Sequence, residues 1–102
     1  MKYFFAEDNC DGTYGVKMTK EFYSYMYPHF NNLPYFRIAY QLFGLLPQDF
    51  YHYVGAHYHA HFKKSDCLEN LILMFFKNKA DCEALCTELD NRFQRAVDEK
   101  MF

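Results

Sequence analysis

Beyond Asn78, the residues Cys82, Leu85, Cys86, Leu89, Phe93 and Val97 follow one another at spacings of three and four. Only a helix gathers side chains so spaced onto one face, and that face must meet a core. Asn78 stands where a side-chain cap is needed, while Glu88 and Arg92 lie one turn apart outside the stripe and support each other. Cys82 and Cys86 have a spacing that would suit two ligands of a zinc site. Their place among Leu85, Leu89, Phe93 and Val97 makes them two small buried hydrophobes instead. With no signal segment and a low cysteine density, all four cysteines are expected as free thiols, Cys10 in an exposed turn.

The 102 residues suit one domain spanning 1–102, able to bury about 65% of the surface its unfolded chain exposes. A hydrophobic share of 51% against 24% charged excludes the composition of a disordered chain. No apolar run approaches the roughly 18 residues that cross a bilayer, so no membrane partner is expected. Met1 to Ala6 is followed at once by Glu7 and Asp8, which break the apolar centre of a secretory signal. A cytoplasmic protein is the expectation. Ten Tyr and twelve Phe, with no Trp, exceed what a core of this size can hide. Some of these rings must lie at the surface, where clustered aromatic side chains mark contact sites. The formal charge of −2 gives no broad attraction to nucleic acid, although protonation of the five histidines would carry it through zero under mild acid.

Local patterns predict the order β-β-α-α-β-β-α. Lys2 to Ala6 reads as a strand, Asp11-Gly12 as its reversal, and Thr13 to Met18 as the returning strand with Tyr14, Val16 and Met18 on one side. Glu7, Asn9, Asp11 and Gly12 look superficially like a calcium loop. Glu stands where Asp belongs, and Met18 stands where the bidentate Glu is needed, so a plain turn is predicted. Thr19 caps a helix carrying Phe22, Tyr23, Met26 and Phe30, with Pro28 kinking or ending it. A second helix follows from Pro34 through Tyr35, Ile38, Ala39, Leu42 and Leu45, closed by Gly44 and Pro47. Phe50, Val54, Tyr58 and Phe62 fall four apart and would make a helical stripe. Gly55 and the alternation of His57, His59 and His61 favour a strand for the second half of this segment. Asp66 and Glu69 have the spacing of a capping box within an otherwise polar connection, and Leu71 to Phe76 reads as a central strand covered on both faces. The fold class is therefore α+β, a four-stranded antiparallel sheet with helices packed on one face.

In that arrangement His57, His59 and His61 stand on the uncovered sheet face with Tyr51 and Tyr53, while Val54, Ala56, Tyr58, Ala60 and Phe62 line the other. Three imidazoles could bind zinc, nickel or copper. Side chains two apart on a strand start about 6.5 to 7 Å from one another, so the third histidine would need help from elsewhere, and no orienting carboxylate is identifiable nearby. The same rings could stack on single-stranded nucleic acid while Lys63, Lys64, Lys77 and Lys79 meet phosphates, but arginine is scarce and no ribonucleoprotein signature is present. With only Ser24 and Ser65, no nucleophile elbow and no phosphate-binding glycine loop, nothing in the sequence marks an enzyme or requires a cofactor. The expected function is a small non-enzymatic interaction module of adaptor or inhibitor type, including a viral inhibitor of a host complex. Its expected contacts with another protein, or with a second copy of itself, are Tyr51, Tyr53, His57, His59, His61 and Lys63. The alternative is a metal-binding or single-strand nucleic-acid-binding domain using the three histidines.

Overall fold

A computed structural model describes residues 3–26, 40–64 and 72–100. Strand β1 (Phe4–Asp8) pairs antiparallel with β2 (Tyr14–Met18) through five residue pairs, from Phe4 opposite Met18 to Asp8 opposite Tyr14. Glu7 and Asp8 thus belong to the strand, past the end the sequence suggests. The loop between the strands closes on itself as a plain turn. Asn9 N–H donates to the Thr13 carbonyl at 3.0 Å, Cys10 N–H to Asp8 Oδ1 at 2.7 Å, and both Thr13 N–H and its hydroxyl to Asp11 Oδ1. Cys10 and Gly12 take positive φ there, 64° and 85°, which the reversal requires.

Helix α1 (Lys20–Met26) starts at Thr19, whose hydroxyl accepts from Phe22 N–H at 3.4 Å, and it buries Phe22 and Met26. Phe30, Pro28 and the start of the second expected helix lie outside the described residues. Its end does not: residues 40–43 are helical, and Gly44 at φ 65° returns its N–H to the Gln41 carbonyl while Leu45 N–H reaches that of Tyr40. That pair of bonds is a Schellman closure, available because glycine alone carries no Cβ penalty at positive φ. Pro47 opens the next helix rather than closing this one.

Helix α2 (Pro47–Tyr58) overturns the strand expected for the second half of residues 50–62. Phe50 and Val54 are fully buried on its inner side and Tyr58 half-buried. Burying that stripe outweighs the cost of one helical glycine, roughly 1 kcal/mol, and the alternation of exposed histidines has no comparable energy behind it. The helix ends at His59 (φ 57°), where the N–H groups of His59 and Ala60 both donate to the Val54 carbonyl. Only then does β3 (His61–Lys64) begin, pairing antiparallel with β4 (Ile72–Phe75). The capping box expected at Asp66 and Glu69 lies outside the described residues.

Among the described residues the expected four-stranded sheet does not form; the α+β architecture there holds two separate two-stranded ribbons, β1–β2 and β3–β4. Among the described residues one backbone pair bridges them, Tyr14 and Phe76, whose N–H groups donate to each other's carbonyls at 2.7 and 2.8 Å. Two physical causes combine. Residues up to Tyr58 are helical, which leaves β3 four residues, and the chain after Phe76 turns at once into Asn78, the cap of α3 (Lys79–Asp98), whose side chain accepts from Ala80 N–H at 2.9 Å. Narrow ribbons also twist more strongly than wide sheets, so edges that meet at one pair diverge beyond it. The apolar run is consequently not covered on both faces. Met74 and Phe76 are buried, but Leu73 stays 37% exposed.

Helix α3 behaves as its stripe demands, with Cys82, Leu85, Cys86, Leu89 and Phe93 at zero exposure. Cys82 and Cys86 are free thiols in the core, and a shared hydrogen bond together with burial pushes the Cys86 thiol up, so it stays protonated. Phe93 stands among Tyr3, Phe4 and Phe22 at ring-centroid distances of 4.5, 6.1 and 5.1 Å in tilted and edge-on arrangements, each worth about 0.5–1.5 kcal/mol beyond the area it buries. Asp90 fastens α3 to the edge of β1, accepting from Tyr3 N–H at 2.9 Å and Phe4 N–H at 2.8 Å, and thereby blocks part of that edge.

Candidate functional site

The tertiary structure scatters the residues that the pleated reading brought together. Tyr51 lies half-buried with its ring 4.8 Å from Phe62 and its hydroxyl 2.7 Å from that of Tyr40. Tyr53 and Tyr58, expected on opposite faces, converge instead. Both donate to Glu88 Oε1, at 2.8 and 2.9 Å. Glu88 in turn faces Arg92 at 3.7 Å, and the Arg92 guanidinium lies 4.2 Å from the centre of the Phe43 ring and donates to the Leu42 carbonyl at 3.3 Å. The pair expected outside the core is therefore a clasp joining α2, residues 42 and 43, and α3.

Proton affinities fit that structural role. The hydrogen bond to Glu88 raises the Tyr53 pKa, while burial and the same carboxylate raise that of Tyr58. Burial and Tyr51 raise that of Tyr40. All three hydroxyls keep their protons, and those of Tyr53 and Tyr58 donate to Glu88, cross-linking α2 to α3.

His57, in the last turn of α2, stacks on Tyr53 at 4.3 Å, with Nδ1 3.0 Å from the Tyr53 carbonyl. His59 occupies the left-handed position that ends the helix, and His61 the first position of β3. Three kinds of backbone geometry cannot share the period of two that would align their rings. Among the described residues no group of three histidine, cysteine or acidic side chains could hold a metal ion.

His61 and Lys63 do remain together. Both are exposed and project from the outer face of β3, where His61 stacks on its cross-strand partner Phe75 at 5.3 Å and Lys63 Nζ lies 5.8 Å from the centre of the same ring. Beside them, the divergence of β2 from β4 opens a cleft of about 350 Å³. Its banks are Gly15, Val16 and Lys17 on one ribbon and Leu73, Met74 and Phe75 on the other, with Asp11 and Thr13 at the loop end. The Asp11 carboxyl sits below its usual range, chiefly through the hydrogen bond from Thr13 and with help from the Lys63 charge.

No protein-family model matches this chain, and neither curated proteins nor solved structures yield a match to it. Among the described residues no helix is long and apolar enough to cross a membrane.

Sequence reasoning missed Lys17, Leu73 and Phe75. Leu73 and Phe75 were hidden inside an apolar run that resembles a buried strand, and pairing of His61 with Phe75 and of Lys63 with Leu73 depends on a register that no local pattern displays. Of the histidine alternation that suggested a strand, only His61 lies in one, and Lys63 and Lys64, expected in a polar connection, continue β3.

Proposed function

We propose that this protein is a non-enzymatic protein-binding module of adaptor or inhibitor type, and that it binds through the outer face of β3–β4 and the adjoining cleft. The observation that carries this reading is Leu73, 37% exposed, beside a half-buried Phe75 that His61 and Lys63 flank without covering. Apolar side chains framed by charged and polar ones, next to strand edges with only one paired residue, have the composition of a contact surface. The hydroxyls of Tyr53 and Tyr58 are taken up by Glu88, and His57, His59 and His61 stand in α2, at its C-cap and in β3, so His61 and Lys63 on β3 are the part of the expected contact set that stays together.

The test compares the chain with Phe75→Asp and with Tyr23→Ser, a variant at an exposed ring on α1. Immobilised proteins are exposed to cell extract and to the free chain, and the retained proteins are quantified. Association lost in Phe75→Asp but kept in Tyr23→Ser supports the reading. Equal retention by all three refutes it, as does salt-sensitive binding of short RNA or DNA that accounts for the Phe75 dependence.

A further inference from the structure

Tyr14 directs both its N–H and its carbonyl at Phe76. Alternation along an antiparallel strand then turns the main-chain groups of Val16 to the same side, away from β1, and those of Met74 away from β3. A continuous sheet would pair Val16 with Met74, the next step of the register set by Tyr14 and Phe76. Among the described residues no such bond forms, because the cleft lies between them. Both residues line that cleft although only 7% of Val16 and 8% of Met74 is exposed. Their side chains are in the core, so it is their main chain that faces the gap. Polar main-chain groups this close to burial call for a hydrogen-bonding partner.

Resting on the binding surface proposed above, we infer that the cleft takes an extended peptide segment of a partner protein, which pairs through its backbone with β2 at Val16 and β4 at Met74 and sets a carboxylate against Lys17 and Lys63. The extended shape follows from the hydrogen-bond pattern, since only a strand presents donors and acceptors at the repeat that the edges of β2 and β4 display. The carboxylate follows from charge. Lys17 and Lys63 stand on opposite banks of the cleft, and Asp11, the acidic residue among its lining, is already bonded to Thr13 at the loop end. Leu73 and Phe75 offer apolar contact to side chains of the inserted segment that point outward.

The experiment selects short linear peptides from a random display library on the full chain, then measures their affinity by fluorescence anisotropy for Val16→Pro, Val16→Ala and Lys17→Glu. Val16→Pro and Val16→Ala both lose the buried side chain, but only proline removes the N–H, and it does so on the side of β2 that faces away from β1. Selected peptides should be rich in Asp or Glu, and binding to Val16→Pro should be about fivefold to tenfold weaker than to Val16→Ala, the worth of one such bond. Lys17→Glu should weaken it by a similar factor. Should Val16→Pro fail to fold, amide exchange in the unaltered chain decides the matter, with Val16 and Met74 slowing on peptide addition. Equal affinity for the proline and alanine variants, or no slowing at those amides, overturns strand pairing. A failure of the library to yield any peptide, while association still depends on Phe75, overturns strand pairing and leaves the protein-binding role standing; loss of the Phe75 dependence removes that role itself.

Discussion

Replacing Glu88 with alanine removes the acceptor shared by Tyr53 and Tyr58 and the partner of Arg92. Hydrogen bonds to a charged acceptor contribute about 1.5–3 kcal/mol each, and the lower figure applies here because the Glu88 side chain is 23% exposed and both tyrosines are half-buried, so water can reach the freed hydroxyls. The ion pair with Arg92 adds about 0.3–0.5 kcal/mol, as expected of an (i, i+4) pair near the surface. Glu88→Ala should therefore cost about 3 kcal/mol, a large share of the total for a domain of this size. In urea, with a slope of about 2 kcal/mol per molar, the unfolding midpoint should fall by about 1.5 M. Glu88→Gln keeps an acceptor but not the charge and should lose about half as much. The decisive measurement is a double-mutant cycle with Tyr58→Phe, in which a coupling of about 1–1.5 kcal/mol is expected. Coupling near zero, with Glu88→Ala still strongly destabilising, would mean that the clasp is a geometric coincidence and that the loss arises elsewhere in α3.

Three further outcomes follow from the same structure. Gly55→Ala should stabilise the protein by about 0.5–1 kcal/mol in thermal unfolding, because Gly55 is helical and an added Cβ meets only the Ala60 carbonyl at 3.8 Å; destabilisation would place residue 55 outside a helix. His59→Gly should also raise stability, by up to about 1 kcal/mol, by relieving a side chain held at φ 57°, whereas a loss would show that the imidazole makes a contact of its own. Tyr40 and Tyr58 hold their protons above the ordinary tyrosine value near 10, so the folded chain keeps protons that the unfolded chain releases. The contribution of these two tyrosines should be constant below about pH 9, and stability should fall as pH rises through 10 and beyond, less steeply in Tyr58→Phe; identical slopes in the two proteins would contradict the assignment.

Legibility varied with how local each decision was. Asn78 and the stripe from Cys82 to Phe93 define α3 in the sequence, since a cap and a period of 3.6 need no distant partner. The same holds for the Asp11-Gly12 reversal, the Thr19 cap and the Gly44 closure. Residues 50–62 carried two periods at once, four between Phe50, Val54 and Tyr58 and two between the histidines. Burial chose between them, and burial depends on what α3 offers opposite. The candidate site changed with it: Tyr53 entered the clasp and Tyr51 the contact with Tyr40 and Phe62, while His61 faces outward from β3 beside Lys63, which the sequence placed in a polar connection.

From its amino acids alone the chain is committed to an α+β composition of parts: a capped twenty-residue helix with one apolar side, an N-terminal hairpin, and more aromatic rings than a core of this size can bury. Whether four strands would fuse into one sheet or remain as two ribbons was decided only by tertiary structure. Pairing between strands depends on the twist that each ribbon brings to the meeting of Tyr14 and Phe76, and on the helix that claims the chain up to Tyr58, neither of which any local stretch of sequence records.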